Sequence, residues 1–190
     1  MKEEINMAIG MKLKKATDAH DLGASKFFGI PTIPGAWTEE LDENLLFLAQ
    51  IRLADIAELD KENRLPHTGY LYFFVDSAAH MGEEAQAVVR YSPEDPDTAV
   101  DEFNDGFEIP GTTEDWLITF SEVDDSESGN KLLGDPCGWG YEDAPKLLLQ
   151  YDPLATEGVN FMNVVDGFGF FFFGETSNDF DKVTFRAERS

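Results

Sequence analysis

The chain has 190 residues, comfortable for one domain and small for two. Thirty-eight acidic residues against 14 Lys and Arg give a formal net charge of -24, which argues against a nucleic-acid ligand or an anionic membrane surface, because both require a dense cationic face. Cys137 is the single cysteine, so no intramolecular disulfide can form.

The acidity has two readings. It keeps a Phe-rich chain soluble, or it attracts and steers a basic partner. Lys2, Lys12, Lys14 and Lys15 sit together near the start, which leaves the rest more acidic than the average. No apolar run reaches the roughly 18–20 residues of a membrane helix. The N-terminus lacks the apolar core of a signal peptide. The expectation is a soluble, cytoplasmic protein.

Taken in order, residues 5–13 alternate, with Ile5, Met7, Ile9, Met11 and Leu13 on one side; period two predicts a half-buried strand. Residues 16–24 are polar and read as a loop. Ser25 to Trp37 holds Gly29, Pro31, Pro34 and Gly35, which forbid long regular structure but allow a packed extended segment. Leu45 to Ile51 reads as a buried strand. Leu53 to Asn63 places Ile56 and Leu59 at helical spacing and predicts a short amphipathic helix. Gly69-Tyr70-Leu71-Tyr72-Phe73-Phe74-Val75 is an aromatic strand. Ala87 to Tyr91 is a further strand candidate, residues 92–111 are loop with one helical turn near Ala99 to Phe103, and Trp116 to Val123 alternates as a strand. Residues 124–130 form a turn. Gly167 to Gly174, with four consecutive Phe, is too apolar for a surface and too short for an ordinary helix, so it reads as a strand buried on both faces.

Three blocks recur in one order, at offsets near one hundred residues. Lys26-Phe27-Phe28-Gly29-Ile30-Pro31 is echoed by Lys131-Leu132-Leu133-Gly134-Asp135-Pro136. Phe47-Leu48-Ala49-Gln50-Ile51 is echoed by Leu147-Leu148-Leu149-Gln150-Tyr151. Gly69 to Val75 is echoed by Gly167 to Phe173. The expected fold is α+β: a β-rich single domain of mainly antiparallel sheet, with few short helices. Two similar halves, about 25–100 and 128–190, would pack with pseudo-two-fold symmetry around one core. Neither half is expected to fold alone.

These blocks resemble the YwqG-like family of bacterial domains of unknown function, over about residues 25–190. The first half carries Ser25-Lys26-Phe27 into the Gly29-x-Pro31 loop, then Phe47-Leu48-Ala49-Gln50-Ile51, then Leu65-Pro66 into Gly69-Tyr70-Leu71. The second half supplies Ser128-Gly129-Asn130-Lys131, the Leu147–Gln150 run and Phe180-Asp181-Lys182-Val183. Two departures stand out: Asn130 occupies a position usually held by His, and residues 163–167 lack the family's Trp-Gly-Asp step. The resemblance implies an α+β fold dominated by antiparallel sheet, supplies no reaction, and hints at toxin–immunity settings.

The chemistry-bearing residues are few. Gln50 and Gln150 each interrupt an apolar strand at matching places, and a buried amide must find partners. Either each ties down the preceding Gly-x-Pro loop, or both line a ligand cleft between the halves together with Lys26 and Lys131. Each lysine reads either as an ion-pair partner or as an anion site. Asp124, Ser126, Ser128 and Asp135 have a faint likeness to a calcium loop, but Lys131 stands where an apolar residue belongs. His20, His67 and His80 do not cluster and read as solvated loop residues. Cys137 has no base nearby in sequence. Trp37, Trp116 and Trp139 read as packing residues. No metal, cofactor or catalytic residue is nominated. The leading expectation is a non-enzymatic protein-interaction module, an immunity-type inhibitor of a basic partner in its sharpest form. The alternative is a small-ligand binder or enzyme with Lys26, Gln50, Lys131 and Gln150 in its cleft, and a structural subunit is the third.

Overall fold

A computed structural model describes residues 7–137, 145–163, 167–176 and 178–189. Its strands are β1 (Met7–Lys15), β2 (Lys26–Phe27), β3 (Thr32–Ile33), β4 (Leu45–Arg52), β5 (Tyr70–Asp76) and β6 (Ala87–Ser92), then β7 (Thr98–Ala99), β8 (Trp116–Asp124), β9 (Asn130–Leu132), β10 (Leu147–Tyr151), β11 (Gly167–Phe172) and β12 (Thr184–Arg189). Ten of them form one sheet in the order β12-β11-β10-β9-β1-β8-β2-β4-β5-β6, while β3 and β7 make a separate pair. Ile5 and Asn6 of the expected first strand lie outside the described residues, as do Trp139 and residues 164–166.

The α+β expectation is overturned. Among the described residues helical structure is confined to five short 3-10 segments, and one large antiparallel sheet makes up the body. That sheet curls until it is nearly a barrel. Its edge strands β6 and β12 do not pair; their ends line a shared groove of about 630 Å³, and Tyr91 beside one edge meets Phe180 at 6.1 Å.

The amphipathic helix expected over residues 53–63 is also absent. A 3-10 segment at Leu53–Asp55 gives way to successive turns. Tertiary bonding overrides the local pattern here. Asp60 is buried, its carboxylate accepts from the backbone N–H groups of Arg64 (3.0 Å) and Leu65 (2.8 Å), and His67 Nε2 lies 3.2 Å away. Those bonds bend the chain toward β5 instead of continuing a helix.

The apolar runs become strands because both of their faces are covered. Inward, Ile9, Met11, Phe27, Phe73, Leu149 and Phe171 belong to one cluster. The rings of Phe73 and Phe171, one from each aromatic strand, meet edge to face at 5.4 Å. Outward, Ile33, Phe47, Tyr72 and Phe74 pack beneath Trp37 and Phe103. Leu147, Phe170 and Phe172 form a third cluster.

Outward from the central β1–β8 pair, the sheet runs β2, β4, β5, β6 on one side and β9, β10, β11, β12 on the other. Small irregularities match. Lys26 pairs with Gln50, and Lys131 pairs with Gln150. The register shifts between Phe47 and Ala49 in β4 and between Leu147 and Leu149 in β10. Phe28 (φ 55°) and Leu133 (φ 61°) are both left-handed, a conformation that costs a bulky residue about 1–2 kcal/mol. Each is held by the carbonyl of the shifted residue: Phe28 N–H donates to Leu48 (2.8 Å) and Leu133 N–H to Leu148 (3.1 Å).

Candidate functional site

All four residues nominated from sequence are buried: Lys26 and Lys131 are 1% exposed, Gln50 and Gln150 are 0% exposed. Gln50 Oε1 accepts from Thr32 N–H (3.0 Å) and Thr32 Oγ1 (2.8 Å), and its Nε2 donates to the carbonyls of Leu22 and Ala24, both at 3.0 Å. Gln150 Oε1 accepts from Cys137 N–H (2.8 Å) and its Nε2 donates to the Gly129 carbonyl (2.8 Å). Thr32 follows Pro31 and Cys137 follows Pro136, so each amide fastens the loop beyond its Gly-x-Pro turn to the sheet. In the sheet Lys26 lies opposite Gln50 and Lys131 opposite Gln150, with β1 and β8 between the two pairs.

The two lysines differ in their partners. Lys26 Nζ donates to Asp115 Oδ2 at 3.0 Å. The same oxygen lies 2.8 Å from His20 Nε2, and Oδ1 accepts from Ile30 N–H at 2.9 Å. The approach is close because residue 29 is Gly: a Cβ there would stand 1.8 Å from Asp115 Oδ1. Burial pushes the Lys26 pKa down, and the Asp115 charge opposes that push. Lys131 Nζ donates instead to the carbonyls of Asp125 and Glu127, and burial lowers its pKa too. The lysine ammonium thus occupies the turn likened to a calcium loop. Asp124 is itself spent on that turn, accepting from Ser126 N–H and Oγ.

Around the first lysine lies a cavity of about 520 Å³ lined by Lys15, Thr17, His20, Lys26, Thr32 and Asp115 among others. A carboxylate shared by an ammonium and an imidazole compensates charge and offers hydrogen bonds to a small polar guest. The wall supplies threonine hydroxyls, one of them engaged by Gln50, and no serine or cysteine.

Sequence reasoning missed Asp115 and His20. Asp115 is 89 positions from Lys26, and no spacing rule connects them. The histidines are not free loop residues as expected: His20 and His67 each contact a carboxylate, while His80 stacks on Phe161 and its Nδ1 accepts from Met162 N–H.

A model of the family described as a domain of unknown function (DUF1963) matches residues 25–171. The chain belongs to the DUF1963 family. No curated protein matches its sequence. The matched span of this DUF1963 protein contains both Gln residues, both buried lysines and Asp115; His20 lies before it. Among the described residues, no helix is long and apolar enough to cross a membrane.

The DUF1963 span also carries an unbalanced surface. From Tyr91 to Asn130 there is no Lys, Arg or His. Pairing of β3 with β7 places this stretch against the loop after Pro34, and Gly35 N–H donates to Asp97 Oδ1 at 2.7 Å. Asn104, buried, bonds both backbone groups of Phe47. The result is a cap over the outer aromatic cluster that exposes Glu39, Asp42, Glu43, Asp101, Glu102 and Asp105. Among the described residues Arg90 answers it, pairing with Glu40 at 2.7 Å and lying 4.0 Å over the Trp37 ring.

Proposed function

We propose that this is a soluble bacterial protein of the YwqG-like type, built from two related β units, whose acidic cap docks a basic protein partner. An immunity-type inhibitor of a secreted toxin is the specific form of the proposal. The supporting observation is the cap itself: exposed carboxylates from two chain segments, mounted on a buried aromatic cluster, with Arg90 paired to Glu40 among them. Such a surface accelerates encounter with a cationic partner and weakens with salt. Isothermal titration against secreted proteins encoded beside it, at low and high salt, tests the reading. Expected is binding that weakens with salt and with the double reversal Asp101→Lys, Glu102→Lys. Salt-insensitive binding, or none to any neighbour, refutes it.

A second reading is a small polar ligand at the His20–Asp115–Lys26 cavity. It is favoured by the position of a buried ammonium on the wall of that space.

A further inference from the structure

A separate cavity, of about 470 Å³, lies beside the start of β5. Small-ligand sites span ~300–1,000 Å³, so its size suits a guest. Asp21, Gly23, Arg52, Tyr70 and Asp95 stand on its wall, and none of them lines the His20–Asp115–Lys26 cavity.

The wall is built up from the sheet. Arg52 in β4 lies opposite Tyr70 in β5, so both side chains leave the same face. The guanidinium carbon of Arg52 is 6.0 Å from the centre of the Tyr70 ring. Arg52 Nε–H donates to Tyr70 Oη (3.3 Å), and Nη2 donates to Asp21 Oδ2 (2.9 Å). The Tyr70 hydroxyl gives its own hydrogen to Asp95 Oδ1 (2.9 Å). Burial pushes the Tyr70 pKa up, which keeps that hydrogen in place. Gly23 N–H holds Asp21 Oδ1 (2.8 Å). Glycine permits this packing, because a Cβ at residue 23 would stand 2.4 Å from Arg52 Nη2 and 2.6 Å from Tyr70 Oη.

Two groups on this wall keep spare bonding capacity. Arginine carries five N–H donors, and apart from Nε–H and one on Nη2 those of Arg52 have no hydrogen-bond partner among the described residues. Asp95 accepts from Tyr70 and forms no ion pair among the described residues. Both can be reached from solvent: the Arg52 side chain is 30% exposed, and Asp95 is exposed. Both also bond the same tyrosine oxygen, so guanidinium and carboxylate are two hydrogen bonds apart. Asp21 balances the charge of Arg52, which leaves Asp95 uncompensated. A plain anion is repelled by that carboxylate. A guest with an ammonium beside its carboxylate answers both groups at once, and in an α-amino acid a single carbon joins the two. The guanidinium is fixed before the guest arrives, so little ordering cost remains.

We propose that this cavity binds a free α-amino acid as its zwitterion. The carboxylate accepts from the spare N–H groups of Arg52, and the ammonium donates to Asp95. None of the exposed acids named in the cap lines this cavity.

The test uses the full chain with L-alanine as probe. L-alaninamide retains only the positive charge, and N-acetyl-L-alanine only the negative. Binding is read by isothermal titration and by the Arg52 Nε–H resonance in NMR. L-alanine shifts that resonance saturably, and each control binds about tenfold more weakly, the equivalent of one charge-assisted hydrogen bond. Asp95→Asn keeps an oxygen for the Tyr70 hydroxyl and loses the charge. Arg52→Lys keeps the charge opposite Asp21 and loses the planar fork. Each variant weakens L-alanine by about tenfold, Arg52→Lys being read by calorimetry. A resonance that never shifts overturns the proposal. Binding of either control as tight as that of L-alanine does so as well, and this comparison needs no variant. So does an Asp95→Asn or Arg52→Lys protein that binds L-alanine as the wild type does.

Discussion

Replacing Gln50 by Leu keeps the volume of the side chain and removes all four of its hydrogen bonds. The Thr32 hydroxyl can turn to another acceptor. The Thr32 N–H and the Ala24 carbonyl stay buried or half-buried and must find new partners, whereas the Leu22 carbonyl keeps the Thr32 hydroxyl as a donor. At about 1–3 kcal/mol for each stranded group, less a gain from the added apolar surface, the loss comes to about 3–5 kcal/mol. For a chain of this length that lowers Tm by roughly 10 °C. Gln150→Leu removes two bonds among the described residues, so its cost is about half as large. Urea unfolding followed by circular dichroism measures both, with a constant m-value as the check that the unfolded state is unaltered. The reasoning fails if Gln50→Leu costs less than about 1 kcal/mol, or if Gln150→Leu is the more damaging of the two.

Asp115→Ala strips the carboxylate from a buried ammonium and costs about 3–5 kcal/mol. Adding Lys26→Met should recover much of that, and a double variant as unstable as the single one contradicts the pairing. A double-mutant cycle on Phe73 and Phe171 should give a coupling of about 0.5–1.5 kcal/mol for an edge-to-face pair; zero coupling would deny that the two ribbons share an interior. Burial holds the His80 ring below its ordinary pKa of 6.5. As pH falls through 6.5 the unfolded chain therefore takes up a proton that the folded chain refuses, and stability declines until the folded ring titrates too. His80→Gln should flatten urea midpoint against pH in that window, and an unchanged slope would assign the acid sensitivity elsewhere.

How much of this was readable in advance depends on the range of the interaction. Strands β4, β5 and β11 were legible because their runs of Leu, Phe and Tyr suit no other environment, and β8 because Trp116 to Val123 alternates. The fastening roles of Gln50 and Gln150 were open as one of two readings, because a polar residue inside such a run has to bond something nearby. The stretch after Leu53 was misjudged because helical spacing is a local signal, whereas Asp60 acts on backbone groups beyond it. The α+β class, which the family resemblance implied, was misjudged with it, since the described residues hold only short 3-10 segments. Asp115 was invisible: its three partners come from the loop before β2, from β2 and from the loop after it, and only the folded sheet brings them together. The acidic cap was half visible, as a missing supply of cations without a location.

The meeting of Phe73 with Phe171 has a consequence for the order of events in biosynthesis. A ribosome delivers the earlier ribbon long before its mate exists. Until residues 167–172 have been made, one oily flank of β5 has only solvent or a chaperone to lie against. Contacts between such distant segments slow folding and lengthen the period in which the nascent chain is sticky. The dense negative charge keeps neighbouring unfinished chains apart during that wait, so it would be useful to the cell even before any partner arrives.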